Sequence, residues 1–344
     1  MANAVSTCLL FGGDWDVNDK AIAAMGLQQA ERTAVYACGG WALLSICCFF
    51  ASLFLGADAD WFPTLVSLLK MGSFLLAAVL CWRNAVNPDI LSGRGVWQAI
   101  AVGMAAYALG DTTVILWRSL WGVSAAVALA DVFYAVSYLF LAIGLFQAVL
   151  PRRITLNLPQ TLGISMAGVL GIVLASWIAF QLPSGASLAA EMAAEGMAVT
   201  GDVFSVESIR VESKGIAAGA ITNAERRVPP LAATIERRLS RITTHVGLLY
   251  VVGDCVLVVI AVALLVAFWG GTYSEAWKLV ALAGLCLYVA DMFLLYEVGQ
   301  GIYRQGAFWE IFWVLSALFF GLSAAVEHGV SDRIKRQAPR RSWL

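Results

Sequence analysis

Charge is what this sequence has least of. Of its 344 residues, 22 are Lys or Arg and 23 are Asp or Glu, together 13%, where a soluble domain carries about a quarter. That shortage excludes an ordinary water-facing fold. Only two histidines are present, which leaves little for metal binding or acid–base chemistry. The cysteines include no CxxC pair: Cys38, Cys47, Cys48, Cys81, Cys255 and Cys286 sit in or beside apolar runs, and Cys8 lies near the N-terminus. They read as small buried hydrophobes, not as disulfides or a zinc site. A net charge of −1 points to no acidic or basic partner, and none made of nucleic acid is expected.

What the chain has is apolar sequence, 60% of all residues, gathered into runs near 34–56, 63–82, 95–117, 122–150, 160–183, 246–268, 275–298 and 306–326. Each approaches the ~20 residues that a bilayer requires, and the fourth is long enough to tilt. The expected fold is therefore an all-α polytopic membrane bundle of about eight transmembrane helices. A polar tail covers 1–33; its apolar patch, Cys8 to Phe11, is too short for a signal-peptide core, and Ala21 to Thr33 reads as a short helix. Membrane segments fill 34–183 and 245–326, an insertion occupies 184–244, and a basic tail occupies 327–344.

Lys and Arg set the orientation. One set of flanks holds Lys20, Arg32, Arg83, Arg94, Arg152, Arg153, Lys278, Arg333, Lys335, Arg336, Arg340 and Arg341; the opposite short loops hold only Arg118 and Arg304. Both termini are thus expected in the cytoplasm and the 184–244 insertion outside. Trp61, Trp82, Trp97, Trp121, Trp269, Trp277 and Trp309 fall at span ends, where indoles settle at headgroup level. Within the insertion, Phe204 to Val211 reads as a weak strand. After Pro229-Pro230, the residues Leu231, Ile235, Leu239 and Ile242 recur at helical spacing and predict an amphipathic helix leading into the sixth span.

The chain also repeats itself. Asp291 follows Asp111 by 180 positions, and at that offset Val66-Ser67-Leu68-Leu69 faces Val246-Gly247-Leu248-Leu249. One residue short of it, Asp131-Val132-Phe133-Tyr134 with Ser137 faces Glu310-Ile311-Phe312-Trp313 with Ser316. The second to fourth helices then correspond to the sixth to eighth. Four helices per unit is an even number, so the two repeats are parallel, related by an axis along the membrane normal.

Ionisable groups inside the spans are the candidate site. Lys70, Asp111, Asp131, Asp254, Asp291 and Glu310 all fall about 7–14 Å below the outer surface at 1.5 Å per residue. Each ionised carboxylate at mid-membrane costs about 2.5–3.5 kcal/mol even on lenient insertion scales, so such groups face the bundle interior and pair. Tyr107, Tyr134, Tyr138 and Trp313 are the available hydrogen-bond partners. Lys70, Asp111 and Asp131 are expected to form one network served by the three tyrosines. Asp254, Asp291 and Glu310, which lack a lysine, are expected to be protonated or to hold a cation. The plain structural alternative is that neutral acids simply tie helices together. No catalytic or metal-binding residue is assigned, and any cofactor is unknown.

Tyr107-Ala-Leu-Gly110-Asp111, followed by Ala130-Asp131-Val-Phe-Tyr134 with Tyr138 and Gly144, resembles the multi-helix membrane sensor module found N-terminal to some bacterial GGDEF-type signalling domains. Ala290-Asp291, Tyr303, Gly306, Glu310, Trp313 and Ala324-Ala325 are similar in the second half. The resemblance covers about 34–326 apart from the insertion, and no effector domain is expected in the residues up to Leu344. It implies a sensor or binding module of the bacterial cytoplasmic membrane, with lipid around it and a separate membrane or cytoplasmic protein as the signalling partner. Lys70 with Gly110-Asp111 also resembles lysoplasmalogenase-like eight-helix proteins, although Asp131 and Tyr134 stand where those usually carry a histidine. The alternatives are then a lipid hydrolase, a proton- or cation-coupled transporter, or a structural subunit of a membrane complex.

Overall fold

Eight helices account for the apolar runs in the computed structural model, which describes residues 31–51, 61–121, 128–149, 158–181, 230–267, 274–300 and 302–337. They are α1 (Glu31–Ala51), α2 (Phe62–Val86), α3 (Arg94–Trp121), α4 (Ala128–Val149), α5 (Leu158–Gln181), α6 (Pro230–Ala267), α7 (Ser274–Gly299) and α8 (Ile311–Gln337), the last entered through a 3₁₀ turn at Phe308–Glu310. Pro63, Pro159 and Pro230 each lie in the first turn of their helix, where a missing N–H costs nothing. Seven of the helices are long and apolar enough to cross a membrane. The protein is all-α among the described residues and polytopic in a bilayer.

α6 is the longest helix among the described residues. It runs for 38 residues, and the expected span at 246–268 forms its C-terminal part, with Tyr250–Val266 the apolar stretch among the described residues. The amphipathic segment from Leu231 to Ile242 belongs to this same unbroken helix, because no proline follows Pro230 to end it. The fourth helix is described from Ala128, the expected start at 122 lying outside the described residues, while α3 extends to Trp121. α8 passes the expected end at 326 by eleven residues and reaches Gln337. The helix expected before Thr33 and the strand expected at Phe204 to Val211 lie outside the described residues, save for 31–33 at the start of α1.

Six helices close a ring, in the order α2, α3, α4, α6, α7, α8 and back to α2. α1 lies outside it against α2 and α8: the Trp41 indole donates to the Leu69 carbonyl at 3.1 Å, Cys38 borders Gly321, and Phe308 meets Phe49 and Phe50 edge-on. α5 lies outside against α6 and α7. Its Leu162, Met166, Val169, Leu170, Val173 and Trp177 are exposed, as suits a helix facing lipid.

Tryptophan departs from the interfacial expectation. Trp61 and Trp82 are exposed at span ends, but Trp97, Trp277 and Trp309 are buried. Trp97 of α3 and Trp277 of α7 meet across the ring with centroids 6.4 Å apart. Those two helices are opposite one another in the ring, so only side chains this large span the gap. Between them and the ionisable groups the interior is apolar, with Phe74, Met104, Leu141, Leu145, Val314 and Phe320 fully buried.

Candidate functional site

α4 supplies two phenols one helical turn apart, and each reaches a different neighbour. Tyr134 donates to Asp111 Oδ1 of α3 at 2.8 Å. Tyr138 contacts Asp254 Oδ1 of α6 at 2.8 Å and also Asp291 Oδ2 of α7. Both reaches depend on a glycine just before the aspartate. A Cβ on Gly110 would run into the Tyr134 ring, and one on Gly253 would stand 2.8 Å from Tyr138 Cδ1. Gly-Asp is therefore a local solution for laying an aromatic ring flat on a helix so that its hydroxyl meets the next side chain.

The remaining groups join these two anchors. Lys70 Nζ of α2 lies 3.4 Å from Asp111 Oδ1 and 4.3 Å from the Trp313 ring centroid of α8, a cation–π contact in a dry setting. The Trp313 indole in turn donates to Asp291 Oδ1 at 2.9 Å. The path Tyr134–Asp111–Lys70–Trp313–Asp291–Tyr138–Asp254 thus takes at least one side chain from every helix of the ring and returns to α4. Tyr107, also buried, packs beneath it, stacked on Phe74 at 3.9 Å and tilted against Tyr134 at 4.8 Å.

Three sequence-based pairings come out differently. Asp131, expected beside Lys70, meets the Tyr250 hydroxyl, which lies 3.1 Å from its carbonyl and 3.5 Å from its Oδ1. Tyr138, expected to serve the first half, turns to the two aspartates of the second half. The two phenols leave the same face of α4 one turn apart, rotated by only about 40°, and at the two depths they meet different neighbours, α3 for Tyr134 and α6 with α7 for Tyr138. Glu310, expected with Asp254 and Asp291, sits in the 3₁₀ turn before α8, where its Oε1 accepts from Gly306 N at 2.7 Å and faces Tyr303 Oη at 3.4 Å. It remains within electrostatic reach of Lys70 and Asp111.

Above Glu310, Gln305 donates to Ser67 Oγ at 2.6 Å, which ties the α7–α8 loop to α2. Gly306 makes the turn with φ +94°, and a Cβ there would stand 3.0 Å from the Phe62 ring. A shallow groove lined by Thr64, Ser67, Ile115, Arg118 and Gln305 lies beside this loop. Asp111 Oδ2 and Glu310 Oε2 are buried without a hydrogen-bond partner among the described residues, as are the Ser137 and Ser316 hydroxyls. No group of three or more His, Cys, Asp or Glu side chains among the described residues is arranged to hold a metal ion.

A second polar cluster, not anticipated from the sequence, lies at the α2–α3 end. Asn84, fully buried, donates to the Ala324 carbonyl at 2.8 Å, and its Oδ1 lies 3.1 Å from His328 Nδ1. Glu327 Oε1 accepts from Ser92 N at 2.9 Å, and Ser331 Oγ lies 3.4 Å from Leu91 N. Lys335 pairs with Asp89, and Arg333 with Glu31 at 3.1 Å. These bonds hold the last two turns of α8 against the α2–α3 turn, which is why the helix does not end at 326. The signal was present in sequence: Glu327, His328, Ser331 and Asp332 recur at the spacing of one helical face.

Comparison with protein-family models, curated proteins and solved structures gave no match to this chain.

Proposed function

We propose that the chain is a membrane sensor module whose input element is the polar layer and whose output is passed at the α2–α3 end to a separate protein. One observation carries this reading. α8 is a continuous helix with Trp313 in the layer and Glu327, His328, Ser331 and Asp332 in the second cluster. Those sites are about fifteen residues apart, roughly 22 Å along one helix. A shift of Trp313 relative to Asp291 and Lys70 therefore displaces the contacts that hold the α2–α3 turn. The α2–α3 end is taken as cytoplasmic because the Lys and Arg bias lies on that side. Exposed Pro88, Asp89, Arg333 and Lys335 would be the surface a partner meets.

The module is also read as a duplication. The ring is unchanged when α2, α3 and α4 are exchanged with α6, α7 and α8, and Trp277 follows Trp97 by the same 180 positions that separate Asp291 from Asp111. Equivalent residues that touch must lie on the two-fold axis, and these two indoles do touch. The outer helices have diverged: α1 borders α2 and α8, whereas α5 borders α6 and α7.

Hydrogen exchange of residues 87–92 and 327–335, compared between the wild type and Asp291→Asn in lipid nanodiscs, tests the sensor reading. Altered protection at both segments is expected. Protection unchanged at both would leave the layer without an output and overturn it.

A further inference from the structure

The layer has one place where the number of hydrogens required exceeds the number that fixed donors supply. Tyr138 Oη contacts Asp254 Oδ1 at 2.8 Å and also Asp291 Oδ2. The two carboxyls therefore approach one phenol oxygen from neighbouring helices. A phenol has a single hydrogen to donate. If it goes to Asp254, the contact with Asp291 needs a hydrogen on that carboxyl; if it goes to Asp291, Asp254 must carry one. Two ionised carboxylates held against one hydroxyl also repel each other. The indole of Trp313 fills the other side of Asp291, donating to Oδ1, so it does not supply what is missing.

We propose that Asp254 and Asp291 bind one exchangeable proton between them, bridged by Tyr138, and that this proton is the ligand of the layer. The inference rests on the sensor reading above and names what is sensed. Binding is a simple addition: a solvent proton joins the dianionic pair, one carboxylate becomes a carboxylic acid, and no bond other than O–H forms or breaks. Both carboxyls meet this proton at the Tyr138 hydroxyl. Its exchange changes packing because the proton joins three helices. Without it, Tyr138 holds either α6 or α7 to α4 but not both.

The pair is surrounded by groups able to set its affinity. Lys70 of α2, Tyr107 of α3, Tyr250 of α6 and Trp313 of α8 act on it directly, and Asp131 of α4 acts through Tyr250. α5, though packed on α6 and α7, has no ionisable side chain. Lys70 is the one cation among these groups, and it is already engaged by Asp111.

Infrared difference spectroscopy of the full chain in nanodiscs reads the proton directly. The wild type is expected to show a carboxylic-acid carbonyl band that shifts in heavy water and titrates with bulk pH. Asp254→Asn and Asp291→Asn should each remove it, because the amide supplies the missing hydrogen and the remaining carboxylate stays ionised. Tyr138→Phe should keep the band at a shifted frequency and midpoint, since two neighbouring carboxyls still share a proton. This variant serves even if the asparagine variants fold poorly. A band unaffected by either asparagine variant belongs to another acid, such as Glu310 or Asp111, and overturns the assignment. A band that both variants remove but that does not titrate makes the proton structural. That overturns its role as ligand while leaving the hydrogen-exchange test of the sensor reading intact.

Discussion

Lys70 is the residue on which the layer's stability depends most. Its side chain is about one-tenth exposed and its partner Asp111 is 2% exposed, so neither charge has water to fall back on. Lys70→Met keeps most of the volume but removes the ammonium from Asp111 and from the face of Trp313. Asp111 then keeps only the Tyr134 hydrogen bond, with Oδ2 unpartnered as before. Breaking a buried pair from one side costs about 3–5 kcal/mol, because the surviving charge is left uncompensated. The double variant Lys70→Met/Asp111→Asn removes both charges, and its amide oxygen still accepts from Tyr134. The residual cost should then fall to about 1–2 kcal/mol, the scale of individual hydrogen bonds. The two substitutions should therefore be coupled by about 2 kcal/mol or more, within the range seen for residues in contact. Reversible unfolding in mixed micelles with an ionic detergent, followed by tryptophan fluorescence, measures all four corners of the cycle. A Lys70→Met protein as stable as wild type, or additive single effects, would refute the claim that this ion pair holds α2 to α3.

Other substitutions report on other parts of the bundle. Gly110→Ala should cost about 1–3 kcal/mol through overpacking against the Tyr134 ring, and a second change, Tyr134→Phe, should then add little; unfolding titrations give both numbers. Gly306→Ala should cost about 1–2 kcal/mol for its positive φ and disturb the Glu310 contact, seen as a lower midpoint with no change in helical content by circular dichroism. Asn84→Ala should cost about 1–3 kcal/mol by leaving the His328 ring without its buried partner, with faster hydrogen exchange near the α2–α3 turn. Single cysteines at the exposed Pro88 and Ile302, on a cysteine-free background, should label from opposite sides in oriented vesicles, Pro88 from the cytoplasm; the reverse pattern would overturn the orientation.

The spans and the inward placement of the charges were legible from sequence because both follow from local costs. An apolar run of about twenty residues has few alternatives to a membrane helix, and a carboxylate within it has few alternatives to the interior. For the same reason Lys70 and Asp111, on consecutive helices and at one depth, could be paired in advance. Tertiary structure decided what depends on the rotation of one helix against another. It turned Tyr138 toward Asp254 and Asp291 and Tyr134 toward Asp111, though the two are only four residues apart. It placed Trp97 and Trp277 against each other inside the ring, where their positions at span ends suggested the headgroup belt. It also prolonged α8, because Asn84 and the α2–α3 turn supply partners that a polar helix end cannot find within its own sequence. Depth is a property of one segment and can be counted along it, whereas azimuth is set only when six helices close on one another.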